Sequence, residues 1–135
     1  MPARFLDTNV LLRYFTRDDE EKARRALALL TRVERGEESV ATSPLVVFEA
    51  VFTLQKRYGA SREQVRELVW PILSLRGLQL PNKSLYRRAL DLYVEKSLPF
   101  ADAFNAAYAE KLGIDSIYSW DKDFDRLEGI ERVEP

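Results

Sequence analysis

The sequence predicts a single α/β domain in which a parallel sheet is flanked by helices. Short β-type segments alternate with longer amphipathic helical segments along all 135 residues, and this alternation is typical of βαβ units. Gly and Pro fall singly between the segments, with no low-complexity linker or internal repeat. A hydrophobic content of 46% is sufficient for one sizeable core. We therefore expect residues 1–135 to form one domain.

Five short apolar segments are predicted to be strands. The first ends in a carboxylate, Asp7, which is followed by the small polar residues Thr8 and Asn9. Ligand sites in open parallel sheets form at the carboxyl ends of strands, so Asp7 stands at a candidate site. The predicted strands are residues 4–6, 39–42, 78–80, 116–118 and, at an edge, 130–133.

Helical periodicity and end signals predict the helices between these strands. Ser61 and Gln64 form a capping box, Pro44 follows a capping Ser43, and glycines end three of the helices. Pro71 should kink its helix or mark the last turn. The predicted helices are residues 10–15, 18–35, 43–58, 61–75, 84–96 and 99–112, with a loop and short helix over 120–127.

The composition excludes several classes of function. The chain contains no cysteine and no histidine, which excludes disulfides, thiolate catalysis, Cys- or His-ligated zinc and Ser-His-Asp triads. A hydrolytic metal site must then use oxygen ligands, which select Mg²⁺, Mn²⁺ or Ca²⁺. The net charge of −1 gives no global signature of nucleic-acid binding. The lack of a long apolar segment predicts a soluble, cytoplasmic protein without membrane contact.

Four carboxylates stand in unusual sequence contexts. Asp7 follows the first predicted strand, and Asp121 follows the fourth. Asp102 lies in the first turn of a helix, and Glu49 lies within an almost wholly apolar helical segment. Glu49 is the most informative of the four, because charged groups are rarely buried without a partner.

Each acid also has a purely structural interpretation. Asp7 could cap the helix that follows it, and Asp102 could interact with its helix dipole. Glu49 could pair with a buried Arg, or it could share an exposed stripe with other polar residues of its region, namely Thr42, Thr53 and Lys56. The turn after the fourth strand could simply be solvated, with its three acids in water: Asp121, Asp123 and Asp125.

The four acids together favour a common site. In a parallel sheet the ends of the first and fourth strands can be adjacent, and the helix start around Asp102 gathers at the same edge. Carboxylates forced together repel one another, and a divalent cation neutralises that repulsion. Acid clusters without His or Cys suit Mg²⁺ or Mn²⁺. The sequence therefore predicts a carboxylate-held metal site.

Four short motifs occur in order along the chain. They are Leu-Asp-Thr-Asn at residues 6–9, Phe-Glu-Ala-Val at 48–51, Phe-Ala-Asp-Ala at 100–103 and Ser-Trp-Asp-Lys-Asp-Phe-Asp-Arg-Leu at 119–127. Each motif alone is weak, but together, at this spacing, they resemble the PIN domain and, more narrowly, the VapC-type toxin ribonucleases. The resemblance covers nearly the whole chain. It implies a three-layer α/β/α fold with a central parallel sheet of strand order 3-2-1-4-5.

The resemblance also implies an activity, namely RNA cleavage by an endoribonuclease that depends on Mg²⁺ or Mn²⁺. It matches the family's catalytic acids to Asp7, Glu49, Asp102 and Asp121, with Asp123 as a fifth acid. Asp7, Asp102, Asp121 and Asp123 would hold the metal, whereas Glu49 would bind it through water or act as a base. The small polar residues expected at the pocket are Thr8, Asn9, Ser119 and Asn105.

Substrate and partners are predicted in the same way. RNA must approach a net-acidic chain, so positive residues should rim the pocket; the candidates are Arg13, Arg17, Lys56, Arg57, Lys122 and Arg126. Trp120 departs from the family pattern, and we expect it to affect packing or substrate stacking. The resemblance implies a cognate antitoxin that blocks the acidic pocket, and a homodimer. The apolar residues 10–12 and 27–30 are interface candidates, with core packing as the alternative.

Competing classes fit less well. Receiver-type phosphoacceptor domains need paired acids after the first strand, where this chain has the single acid Asp7. A phosphatase of the Asp-x-Asp type is excluded because Asn9 replaces the second acid, and no Gly-rich turn follows the first strand to bind a dinucleotide. A catalytically silent, PIN-like interaction module remains an open alternative.

Overall fold

The computed structural model describes residues 3–135. These residues form α-helices and β-strands, and the helices are longer than the strands. The α-helices are α1 (Thr8–Thr16), α2 (Glu20–Glu34), α3 (Pro44–Lys56), α4 (Arg62–Leu73), α5 (Lys83–Glu95) and α6 (Phe100–Lys111). The strands are β1 (Arg4–Phe5), β2 (Val40–Ala41), β3 (Leu78–Gln79), β4 (Ser116–Tyr118) and β5 (Glu131–Val133). A 3₁₀ helix, Lys122–Arg126, follows β4. The predicted α/β class is confirmed.

The chain forms two compact units, Met1–Lys83 and Ser84–Pro135. In the first unit, β1 pairs with β2 and β2 with β3, both in parallel. In the second unit, β4 pairs in parallel with β5. Hydrogen bonding among the described residues thus gives a three-stranded sheet, β1-β2-β3, and a two-stranded sheet, β4-β5. Strands that are paired within each sheet are also neighbours in the predicted order 3-2-1-4-5.

Four of the five strands are shorter than predicted, because only two or three residues of each apolar segment take part in pairing, and β4 has the predicted bounds. Backbone bonds nevertheless extend beyond the strands. The Leu6 N–H donates to the Ala41 carbonyl at 2.7 Å, and the Thr42 N–H donates to the Gln79 carbonyl at 3.1 Å. The end of β1, which positions Asp7, is therefore held by the neighbouring strand.

The predicted helix signals are confirmed in their hydrogen bonds. Ser61 and Gln64 form a reciprocal capping box at the start of α4, and the Ser43 side chain accepts from the Val46 N–H at the start of α3. Pro71 lies in the last turn of α4, where its lost hydrogen bond and its ring cost the helix little.

Each unit has its own apolar core. In the first, Val33, Val47 and Val65 are at most 1% exposed. In the second, Tyr86 and Tyr93 are equally buried, and the Tyr86 ring lies 5.2 Å from that of Phe104 on α6. Among residues 3–135, none of the helices combines the length and the apolar character that crossing a bilayer requires.

Gly77 permits close packing between the turn before β3 and the end of α2. A Cβ atom at this position would lie 2.7 Å from the Val33 carbonyl oxygen and 3.0 Å from that of Glu38. Because both obstacles are backbone atoms, we expect Gly77→Ala to lower the free energy of unfolding by about 1–3 kcal/mol. Urea unfolding measures this. The neighbouring Arg76→Ala should change stability by less than about 0.5 kcal/mol, and an equally small effect at Gly77 would contradict the prediction.

Candidate functional site

Asp7 lies where β1 gives way to α1. It is the N-cap residue of α1, but its carboxylate makes no capping hydrogen bond, and the residue is exposed. The local backbone is fixed instead by buried Thr42, whose hydroxyl donates to the Leu6 carbonyl at 2.9 Å. Asp7 therefore occupies the N-cap position of α1, but its side chain does not cap the helix. Its carboxylate is left available to a ligand.

Glu49 is connected to this strand end by Thr8. The Thr8 hydroxyl donates to the Glu49 carboxylate at 3.2 Å, although the two residues are 41 positions apart in sequence. Thr8 is only 3% exposed, so a buried hydroxyl orients the Glu49 carboxylate. The hydrogen bond to Glu49 is consistent with the predicted supporting role of Thr8.

The exposure of Glu49 corrects one expectation. Its apolar neighbours suggested burial, but Glu49 is exposed, and so are Leu45 and Phe52 on the same side of α3, at 80% and 64%. A buried Arg partner is therefore wrong. The alternative prediction, an exposed polar stripe, is wrong for Thr42. This residue is 7% exposed, and its hydroxyl donates to the backbone carbonyl of Leu6.

Three acids of the second unit form a cluster. Asp102 in the first turn of α6, together with Asp121 and Asp123 beside the 3₁₀ helix, can place one carboxylate oxygen each within 4.8 Å of one another. Asp102 and Asp123 are half-buried and Asp121 is exposed. The prediction that Asp102 approaches the acids after the fourth strand is confirmed.

Hydrogen bonds within the loop after β4 position Asp121 and Asp123. The Ser119 hydroxyl accepts from the Asp121 N–H at 2.9 Å, and the Asp121 carboxylate accepts from the Asp123 N–H at 2.9 Å. Ser119 thus supports the cluster directly. The Arg126 guanidinium lies 3.1 Å from the Asp123 carboxylate and donates to the Ser97 carbonyl at 3.0 Å. Arg126, predicted at the rim, therefore partly neutralises the cluster.

Arg132 is a supporting residue that sequence reasoning missed. Its side chain is 13% exposed, donates to the Ser119 carbonyl at 3.1 Å and pairs with Asp125 at 2.9 Å. The Asp125 carboxylate is thereby paired with a cation, and the loop after β4 is held to β5. The available signal was the alternation along β5, which points Arg132 away from the side chains of Glu131 and Val133, although alternation does not name the partner.

Burial and neighbouring negative charge both act on the Asp102 carboxyl. Burial raises the pKa of the Asp102 carboxyl above its ordinary value, and the negative charge of Asp121, a hydrogen bond shared with Asp121 and the charge of Asp123 raise that pKa further. A carboxylate serving the helix dipole would show the opposite direction. A divalent cation would offset this repulsion, so the oxygen donor set fits a hard metal ion.

The remaining predicted residues lie mostly at the surface. Asn9 and Asn105 are exposed, and Trp120 is 72% exposed, so Trp120 does not contribute to packing and stays a candidate for stacking. Arg13 pairs with Asp18 at 2.8 Å. The other predicted cations are exposed: Arg17, Lys56, Arg57 and Lys122.

Comparison with known proteins places the chain among related sequences. The PIN domain family model matches residues 4–130. A VapC ribonuclease of Aquifex aeolicus (strain VF5) is 29% identical over 132 residues, which cover 98% of this chain and 96% of that protein. The crystal structure of Mycobacterium tuberculosis VapC20, described as a toxin that cleaves the sarcin-ricin loop, is 22% identical with a TM-score of 0.41, over 91% of this chain and 93% of that one. The family match spans all four sequence motifs, and the chain belongs to the PIN domain family.

Proposed function

We propose that this protein is a metal-dependent endoribonuclease and the toxin of a toxin–antitoxin pair. The observation that carries the proposal is the cluster of Asp102, Asp121 and Asp123, in which one carboxylate oxygen of each residue lies within 4.8 Å of the others. Membership of the PIN domain family and the similarity to a relative named VapC ribonuclease support it. The absence of His and Cys leaves carboxylate-held metal as the available catalyst of phosphodiester hydrolysis.

The proposed metal ligands are Asp7, Asp102, Asp121 and Asp123, with Mg²⁺ or Mn²⁺ as the ion. When bound, such an ion lowers the pKa of water and stabilises charge on the phosphate oxygens. Ser119 fixes the loop that presents Asp121 and Asp123, so these carboxylates are oriented before a ligand arrives. Preorganised ligands cost less free energy to assemble than mobile ones.

Glu49 is proposed as the base or as a ligand acting through water. Its carboxylate accepts from Thr8, and this bond limits its rotation while leaving its other oxygen free to accept a proton. An exposed position keeps Glu49 accessible to water. These properties suit a group that takes a proton from a nucleophile.

Chelation tests the proposed function. We expect EDTA to abolish cleavage of single-stranded RNA by the purified protein, and excess Mn²⁺ or Mg²⁺ to restore it, because the ion would lower the pKa of the attacking water and stabilise charge on the phosphate. Gel analysis of a labelled RNA before and after metal addition measures this. Cleavage that persists unchanged in EDTA would overturn the metal mechanism, and metal binding without any cleavage would favour the silent interaction module.

The proposed partners are an antitoxin and a second copy of the chain. A basic side chain from an antitoxin could enter the Asp102–Asp121–Asp123 cluster and replace the charge of the metal. Of the apolar segments predicted at an interface, Leu11 and Leu30 are buried, as core packing requires, whereas Leu27 is 44% exposed. Leu45 and Phe52 on α3 add exposed apolar surface that a partner could cover.

A further inference from the structure

The first unit contains a cavity of about 640 Å³ that is rich in positive charge. It is lined by residues of β1, the start of α1 and one side of α2. The basic residues in its lining are Arg4, Arg13, Lys22, Arg24, Arg25 and Arg32. Glu38 is the one acid among its described lining residues. Such an imbalance is unexpected in a chain whose net charge is −1.

Half of these cations are neutralised by acids of the same unit. The ion pairs are Arg13–Asp18 at 2.8 Å, Arg24–Glu21 at 2.6 Å and Arg32–Glu38 at 3.2 Å. The side chains of Arg4, Lys22 and Arg25 make no ion pair or hydrogen bond with any described residue. Three uncompensated cations around one concavity create a positive potential that attracts an anion.

The cavity also offers an apolar surface beside this charge. Phe5 lines it and is 61% exposed, and Val10 and Leu29 contribute aliphatic area. An exposed aromatic ring next to cations is how proteins hold single-stranded nucleic acid, since bases stack on the ring and phosphates pair with the cations. Asn9 lines the same cavity, two residues after the proposed ligand Asp7.

We propose that this cavity binds single-stranded RNA, with phosphates on Arg4, Lys22 and Arg25 and a base against Phe5. Its volume falls within the range of about 300–1,000 Å³ that is common for small-ligand sites, so it suits one base and its flanking backbone. The inference rests on the proposed function for the identity of the polyanion. It gives the substrate a positively charged binding surface in a chain whose net charge is −1.

Binding without cleavage tests the proposal. Fluorescence anisotropy with a labelled single-stranded RNA in EDTA compares the wild type with Arg4→Gln/Arg25→Gln. We expect affinity to fall by about tenfold or more, and the slope of log K against log salt to become shallower by about 1.4, or about 0.7 per lost phosphate contact. Arg35→Gln/Arg76→Gln is the matched control, because it removes the same charge at exposed positions outside the cavity.

Two further variants separate folding from contact. Arg4→Lys/Arg25→Lys keeps the charge and should retain most of the RNA affinity. If the substitutions instead disrupted the fold, this variant would bind RNA as weakly as Arg4→Gln/Arg25→Gln. Phe5→Leu keeps apolar volume but removes the ring, and should weaken RNA binding by about tenfold. Equal losses in the Gln pair and its matched control, or no RNA binding by the wild type at low salt, would overturn the proposal.

An acidic protein segment is the competing anion. If a poly-glutamate peptide binds as tightly as RNA, and Phe5→Leu leaves RNA binding unchanged, the cavity serves such a segment and the proposal is wrong. Failure of the proposed function gives a different result. Chelator-insensitive cleavage would contradict the metal mechanism, but it would not change RNA affinity measured in EDTA. If cleavage is metal-dependent and Arg4→Gln/Arg25→Gln binds RNA as tightly as the wild type, only the proposed role of the cavity is wrong.

Discussion

Asp7→Asn is expected to reduce RNA cleavage by at least about 100-fold while leaving the chain folded. Substitutions one step removed from a metal typically cost about 10–100-fold, and Asp7 is proposed to bind the metal itself. The fold should persist because Asp7 is exposed and its carboxylate does not cap α1. Single-turnover cleavage of a defined RNA measures the activity, and thermal unfolding in EDTA measures the stability.

The matched control for this variant is Asp115→Asn, which removes one exposed carboxylate outside the proposed site. It should cleave RNA at the wild-type rate, because loss of one surface charge does not change the ligand set. Wild-type cleavage by Asp7→Asn would remove Asp7 from the metal site. A large fall in its unfolding temperature would instead show that Asp7 serves the start of α1.

Much of the fold was predictable because its signals are local. The Ser61–Gln64 capping box depends on residues three positions apart, and the alternation of strand and helix patterns favours parallel pairing. Strand length was less predictable, since an apolar segment shows what can be buried but not which residues find a hydrogen-bonding partner. Each strand therefore proved shorter than its apolar segment, except residues 116–118, where the two coincide.

In the candidate site, too, the contacts between near neighbours in sequence were predictable and the long-range contact was not. The bonds from Ser119 to Asp121 and on to Asp123 span two residues each, so a motif contains them. The bond from Thr8 to Glu49 spans 41 positions and depends on how α1 packs against α3, which no local pattern specifies. Glu49 was expected to be buried because hydropathy counts apolar neighbours, and it does not show which helix face another element covers.

The unpaired cations of the first unit show a further limit. Sequence reasoning chose Arg13 and Arg126 as rim residues, but both are engaged in ion pairs with acids. Arg4 and Arg25 were not among the predicted rim residues. Only the structure shows that they line the same cavity, because Arg4 and Arg25 lie on different elements of the chain.

Asp102→Asn is expected to lower metal affinity and RNA cleavage by at least about tenfold and, without metal, to stabilise the fold. Asp102 is half-buried, and burial together with the charges of Asp121 and Asp123 raises the pKa of its carboxyl. Asn keeps the shape and removes the charge. Metal binding by calorimetry, cleavage assays and urea unfolding in EDTA measure the three effects, with Asp115→Asn as the exposed control.

The pH dependence separates this mechanism from a structural role of Asp102. A group whose folded-state pKa is raised contributes stability that is present below its unfolded pKa, about 3.9 for Asp, and is lost as pH rises through the folded pKa. Asp102→Asn should therefore exceed the wild type in stability at neutral pH and match it near pH 3. Added Mg²⁺ or Mn²⁺ should reverse the order at neutral pH, because an ion that binds only the native state stabilises it by mass action and the variant binds the ion less tightly. A variant less stable than the wild type at every pH, with or without metal, would assign Asp102 to the support of α6 and would leave the cluster without its central ligand.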